Sequence, residues 1–149
     1  MSVELRVLST HAVVEALNEL GPRFEKATGI RLSIHYDPGK AIRRTLENGG
    51  VCDAAIVTKP VFDALVEQGM MLPDTAFNVG RCGIGVSVRE GAALPDISTP
   101  DALKNALLSA KSVVRSTDGA SGEHFEKLLD QFGITEAMQE QHPFVLLTA

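Results

Sequence analysis

Along the first half of the chain, short apolar runs alternate with stretches in which apolar residues recur every three or four positions. Leu5-Arg6-Val7-Leu8 has the density of a buried strand, and Val13, Leu17, Leu20 and Phe24 follow at the spacing of one helical face. Gly21-Pro22 interrupts that face and is expected to bend or restart the helix, because proline lacks a backbone donor. Thr28-Gly29 supplies a left-handed end. Arg31 to Tyr36 predicts a second strand. Ala41 to Asn48 predicts a short helix with Ile42 and Leu46 inward, stopped by Gly49-Gly50. Asp53 to Val57 predicts a third strand, and Pro60 stands where a first helical residue often does, with Phe62, Leu65, Val66 and Met70 on the face behind it. Strand followed by helix, three times over with short connections, predicts an α/β fold: a mostly parallel sheet with helices on both faces.

From Phe77 to Val88 the pattern becomes one long strand punctuated by glycine, and the hinge between two lobes is expected there. Residues 1–80 then make an N-terminal α/β lobe and 81–149 a partial second one. Thr99-Pro100-Asp101 is a helix start with Leu103, Leu107 and Leu108 behind it. Ser112 to Arg115 predicts a short strand. Ser121 opens a helix with Phe125, Leu128, Leu129 and Phe132 on its apolar face, closed by Gly133.

Composition removes several classes of function. With 149 residues, 44% hydrophobic and 22% charged, the chain has apolar material for a core and too much of it for a solvated coil. No run approaches the roughly 20 apolar residues of a membrane-spanning helix. A net charge of −5 argues against nucleic acid as a partner. Two cysteines, with no Cys-x-x-Cys and no clustered histidine, give neither a disulfide framework nor a metal site, and Cys52 and Cys82 read as small buried hydrophobes. Gly80-x-x-Gly83-x-Gly85 lies inside a predicted strand rather than at a strand-to-helix turn, so it is no dinucleotide fingerprint. Nucleophile-elbow, phosphate-loop and zinc-protease motifs are absent, so no cofactor and no catalytic set is expected. No basic and apolar leader precedes Leu5. The expected compartment is the periplasm if a leader has been removed, and the cytoplasm if Met1 is the native start.

The candidate chemistry lies at the ends of the predicted strands, where helix N-termini converge in an open parallel sheet and offer unpaired N–H groups and partial positive charge. These junctions are Ser9-Thr10-His11, Asp37-Pro38-Gly39-Lys40, Thr58-Lys59, and Thr117-Asp118-Gly119-Ala120-Ser121-Gly122. Each is rich in hydroxyls, glycine or lysine, which suits a small anion held mainly by backbone amides. Residues 31–60 carry five basic and three acidic side chains in an otherwise acidic protein, a local positive field for such a ligand. Each junction also has a plainer use. Serine and threonine cap helices, Lys40 and Arg43-Arg44 suit a solvated helix face, and His11 and His124 suit the surface.

The pieces Leu5-Arg-Val-Leu-Ser9, Leu20-Gly-Pro-Arg-Phe-Glu-Lys-Ala-Thr-Gly-Ile30, Gly49-Gly-Val-Cys-Asp53-Ala-Ala-Ile-Val57, Val66-Glu-Gln-Gly69 and Asp118-Gly-Ala-Ser-Gly-Glu-His-Phe125 resemble bacterial solute-binding proteins of the molybdate-binding type. The resemblance spans about residues 4 to 140. It implies a type II periplasmic-binding-protein-like fold in which two lobes close over an anion, with the second lobe incomplete in this chain. It places ligand contacts near Ser9 to Ala12 and Pro38 to Lys40, and at Ser121 and Gly122. Ala12 and the Asp37-Pro38-Gly39-Lys40 turn stand where the family pattern has serines, which removes two hydroxyl contacts for a tetrahedral oxyanion. Lys40 supplies instead a point charge suited to a carboxylate.

The expected ligand-binding residues are therefore Ser9, Thr10, His11, Gly39, Lys40, Thr58, Ser121 and Gly122. The expected function is non-catalytic binding of a small anion, oxyanion or organic carboxylate, for an ABC-type importer and its membrane component. Two alternatives share the fold. One is an isomerase or lyase of a small carboxylic acid, using His11, Lys40 or His124 for proton transfer. The other is an effector-sensing regulatory domain. The apolar ending from Phe144 to Leu147 departs from the family pattern, and implies a shortened chain or pairing with a neighbouring molecule into a homo-oligomer.

Overall fold

A computed structural model describes residues 3–141 and 145–147. The chain divides into two compact units, Met1–Cys82 and Gly83–Ala149, each with an apolar cluster of its own.

In unit 1, β1 (Glu4–Ser9) is the centre of a three-stranded parallel sheet, between β2 (Arg31–Tyr36) and β3 (Ala54–Ile56). Register runs from Glu4 beside Arg31 to Ser9 beside Tyr36, and Val7 to Ser9 lie beside Ala54 to Ile56. Successive side chains point to opposite faces of a strand. On the Leu8 face, α2 (Gly39–Glu47) and α3 (Lys59–Glu67) bury Ile42, Leu46 and Leu65 against Leu8, Val57 and Val61. On the other face lies α1 (Val14–Thr28), whose buried Gly21 would bring a Cβ within 3.7 Å of Leu32 Cδ1.

Helix α1 corrects two expectations. It runs unbroken through Gly21-Pro22. The pre-proline clash that disfavours helix acts in part through the preceding residue's Cβ, and Gly21 removes that part. Its inner face is also rotated from the predicted one. Leu17 and Gly21 turn inward, while Leu20 and Phe24 remain 51% and 39% exposed. Glu25 closes the gap differently, accepting from the Leu32 N–H of β2 at 2.7 Å.

The predicted strand from Phe77 to Val88 is absent. No strand is assigned between α3 and the next helix, and Phe77 is 85% exposed, with Val79, Ile84 and Val86 each more than half exposed. A strand is completed by its neighbour's N–H and C=O groups, and no described strand lies beside this segment. Cys82, expected to be buried, is exposed.

Unit 2 contains α4 (Pro100–Ser109), β4 (Val114–Ser116), α5 (Ala120–Phe132), α6 (Thr135–Gln141) and β5 (Val145–Leu147). Leu107, Leu129, Ile134 and Met138 form its core, with Leu103, Leu108, Val113, Phe125 and Phe132 packed on it. Lys104 donates to the Phe132 carbonyl at 2.7 Å, satisfying an acceptor at the end of α5. Strands β4 and β5 pair in parallel, Val114 beside Val145 through Ser116 beside Leu147. The segment expected to pair with a neighbouring molecule thus has a partner in its own chain, although Phe144 lies outside the described residues.

Candidate functional site

The carboxyl end of the unit 1 sheet brings three of the predicted junctions together. The ladder continues one residue past the strands, with Thr10 N–H donating to Ile56 O at 3.0 Å and Asp37 N–H to Ser9 O at 3.1 Å. Ser9 is fully buried, and its hydroxyl donates to the Thr10 carbonyl at 3.1 Å. This fixes the exit of β1 and removes the Ser9 hydroxyl as a ready ligand group. Gly39 sits beside this exit: a Cβ there would lie 3.9 Å from Thr10 Cγ2 and 3.4 Å from Val61 Cγ2. Thr10, Gly39 and the first turn of α3 are therefore neighbours.

The capping use of these hydroxyls is not what the structure displays. Thr10 precedes a 3-10 turn (His11–Val13) and Thr58 precedes α3, both in extended backbone, and neither side chain makes a cap hydrogen bond. Pro38, before α2, has no side chain able to cap. The contrast is Thr99 before α4, whose hydroxyl accepts from Ala102 N–H at 3.1 Å. Where a helix start lacks a cap, its first N–H groups keep their positive potential for another acceptor.

Charge around this rim has both signs. Lys40 lies half-buried in the first turn of α2. Asp37 is held by His35, Nε2 to Oδ2 at 2.9 Å, and Lys59 Nζ bonds both carboxylate oxygens of Asp63 at 2.7 Å. The Lys59 pair is exposed and spans one helical turn, a weak interaction in water. His11, exposed, stands beside Tyr36 at the end of β2. Sequence reasoning named His11 and the junction that holds Asp37 but missed Tyr36 and His35 as rim companions, although the chain's single tyrosine at the last position of a predicted strand was a usable signal.

Ser121 and Gly122 belong to unit 2. Gly122 is buried, and a Cβ on it would overlap the Ser116 carbonyl oxygen, so the first turn of α5 is pressed onto the end of β4. Its N–H is directed at Gly119 O, 3.1 Å away, and Ser116 Oγ accepts from Gly119 N–H at 2.9 Å. Ser121 is exposed. Gly122 thus has a steric role that the sequence reading did not anticipate. Elsewhere in unit 2, Arg115, Glu126, Leu129, Asp130, Thr135 and Gln139 line a cavity of about 200 Å³, with Arg115 paired to Glu126 at 2.7 Å. That volume falls below the ordinary range for ligand pockets.

Cys52 is not poised as a nucleophile. Burial, and then the neighbouring Asp53 carboxylate, push the Cys52 thiol up, away from the reactive thiolate. Among the described residues, no group of three or more His, Cys, Asp or Glu side chains is placed to hold a metal ion.

Parallel strands with helices on both faces, helix starts gathered at the carboxyl end, and a second α/β unit in the same chain define a periplasmic-binding-type architecture. Solved structures agree with that class. The periplasmic molybdate-binding protein of Azotobacter vinelandii superposes with a TM-score of 0.61 at 16% identity, over 96% of this chain and 62% of that one. A substrate-binding domain assigned to a molybdenum ABC transporter from Clostridium difficile superposes with a TM-score of 0.56 at 16% identity, over 99% of this chain and 62% of that one. At that identity the likeness is one of fold, the type II periplasmic binding fold.

The sequence carries the finer assignment. Residues 5–144 match the family described as bacterial extracellular solute-binding protein, and the chain belongs to that family. An aconitate isomerase from a Pseudomonas species is 35% identical over 130 residues, which is 84% of this chain. The chain spans about half, 49%, of that relative's length.

Proposed function

We propose that this chain binds a small organic carboxylate at the carboxyl end of the unit 1 sheet, as the solute-recognising component of an ABC-type importer. The observation that carries the reading is the cluster at Thr10, Gly39 and Thr58, where three successive chain reversals begin without a side-chain cap. Backbone N–H groups in such a cluster favour an anion without a specific motif. Lys40 in the adjoining turn adds a full charge, and an ammonium group serves a carboxylate as well as it serves an oxyanion. Family membership supports solute binding, and a periplasmic setting accompanies that role.

A calorimetric series of citrate, aconitate, succinate, sulfate and molybdate tests it. The expected result is saturable binding of at least one carboxylate, weakened about tenfold or more by Lys40→Ala, the loss of one charge-assisted contact. Unchanged affinity in the variant removes Lys40 from the site. Failure of every anion to bind ends the reading.

The match to an aconitate isomerase favours a second reading, proton-transfer isomerisation of an unsaturated carboxylate on the same scaffold. It needs one group to take a proton from carbon and one to return it, and His11, Asp37 and Lys40 are the titratable side chains that the first two junctions supply in unit 1, with Asp37 already paired to His35. Proton NMR of cis-aconitate with the protein separates the two. A binder leaves the spectrum of the bulk acid unchanged, and an isomerase accumulates the trans acid.

A further inference from the structure

The rings of His11 and Tyr36 stand 6.1 Å apart, centroid to centroid, with their planes tilted by 37°. They come from separate elements: His11 opens the 3-10 turn after β1, and Tyr36 ends β2. Tyr36 lies in register with the fully buried Ser9, so the sheet fixes the base of its side chain. The spacing is that of interacting aromatic pairs, yet the pair belongs to neither apolar cluster, with His11 exposed and Tyr36 half-buried. Their chain neighbours are Thr10 on one side and Asp37-Pro38-Gly39 on the other, the residues that frame the uncapped helix starts. An aromatic pair at the edge of an anion site does something that backbone N–H groups cannot. The N–H groups attract any anion by charge, whereas a π-face favours a ligand that is itself flat.

We propose that His11 and Tyr36 form a specificity-determining wall of the unit 1 site, one that selects planar, unsaturated carboxylates over saturated acids and tetrahedral oxyanions. This rests on the carboxylate-binding reading above and adds to it the class of ligand. A conjugated acid presents a flat face to the rings while its carboxylates meet the helix starts and Lys40. A saturated acid of equal charge, or molybdate, keeps the electrostatic part and loses the stacking.

The chain has one tyrosine and no tryptophan, so tyrosine emission reports on this wall alone. Titrations of the full chain would compare trans-aconitate with tricarballylate, its saturated counterpart with the same three carboxylates, and with molybdate. The wild type is expected to bind trans-aconitate about five- to tenfold more tightly than tricarballylate, the scale of one aromatic contact, with a change in tyrosine emission. Calorimetry on Tyr36→Leu and His11→Ala should show that ratio falling to about one, while Tyr36→Phe, which keeps the ring, preserves it. Urea unfolding of each variant separates loss of fold from loss of preference. A ratio retained in both Tyr36→Leu and His11→Ala, or a ratio already near one in the wild type with carboxylates still bound, overturns the wall and leaves the carboxylate site standing. Absence of binding by any of the three anions overturns both.

Discussion

At Gly39, where β2 hands over to α2 in unit 1, a Cβ would meet Val61 and Thr10 side chains at 3.4 and 3.9 Å, ordinary contact distances. At Gly122, in the first turn of α5 in unit 2, the same atom would overlap the Ser116 carbonyl oxygen. Both glycines follow a strand and open a helix, and in the sequence both suit an anion held by backbone amides. Neither helix start has a side-chain cap, so the difference between them lies in the room around the glycine. The second lets the helix press onto its strand, with the Gly122 N–H turned to Gly119 O. One sequence signature therefore has two physical causes, and the space around the missing Cβ tells them apart.

The largest effect that sharpens this contrast is Gly122→Ala. Backbone must move to admit the methyl group, and overpacking of that kind costs about 3 kcal/mol or more. Gly39→Ala should stay within about 1 kcal/mol of the wild type, because alanine also favours helix over glycine. Urea unfolding followed by circular dichroism measures both. Similar losses in the two variants would mean that the two junctions are packed alike and that the distinction fails.

A smaller effect separates capped from uncapped helix starts. Thr99→Ala removes the hydroxyl that accepts from Ala102 N–H and should cost about 1 kcal/mol. Thr58→Ala removes a hydroxyl without a cap bond, so its cost should be a few tenths of a kcal/mol, as for other surface changes. The order reverses in the presence of a bound anion if Thr58 contributes to holding it, because ligand binding adds stability only to the folded form. Equal costs without ligand would show that Thr58 caps α3 in solution.

What the sequence revealed follows from the range of the interactions involved. Strand β2 and the inward Ile42 and Leu46 of α2 were legible because alternation and helical spacing are properties of a few neighbouring residues. The left-handed stops at Gly29 and Gly133, with φ of 73° and 63°, were legible for the same reason. The segment from Phe77 to Val88 has strand composition, but a strand exists only beside another, and composition names no partner. Helix α6 was overlooked even though Ile134 and Met138 lie four residues apart and are both buried, because Gly133 drew attention to the end of α5 rather than to a new start. At the site, Thr10, Gly39 and Thr58 were found from their junctions. The meeting of His11 with Tyr36 depends on the register of β1 and β2, which joins residues far apart in the chain, and no local pattern encodes it.

The smallest effect concerns the far end of α2, away from the helix start. Donation from the Gln68 amide and then from the Arg43 guanidinium hold the Glu47 carboxyl below its ordinary value. A carboxyl whose folded-state value is depressed contributes stability above its unfolded value and loses it as pH falls through the folded one. Wild type should therefore exceed Glu47→Gln in stability at neutral pH, and the gap should close as the solution is acidified below the ordinary carboxylate range. Both partners are near the surface, so salt should shrink the gap at neutral pH as well. Paired urea titrations along a pH series follow it directly. A gap that stayed constant down to strongly acid pH would show that the ionised carboxylate is not what stabilises this end of α2, since glutamine keeps the same methylene groups and differs only in charge and hydrogen-bonding pattern.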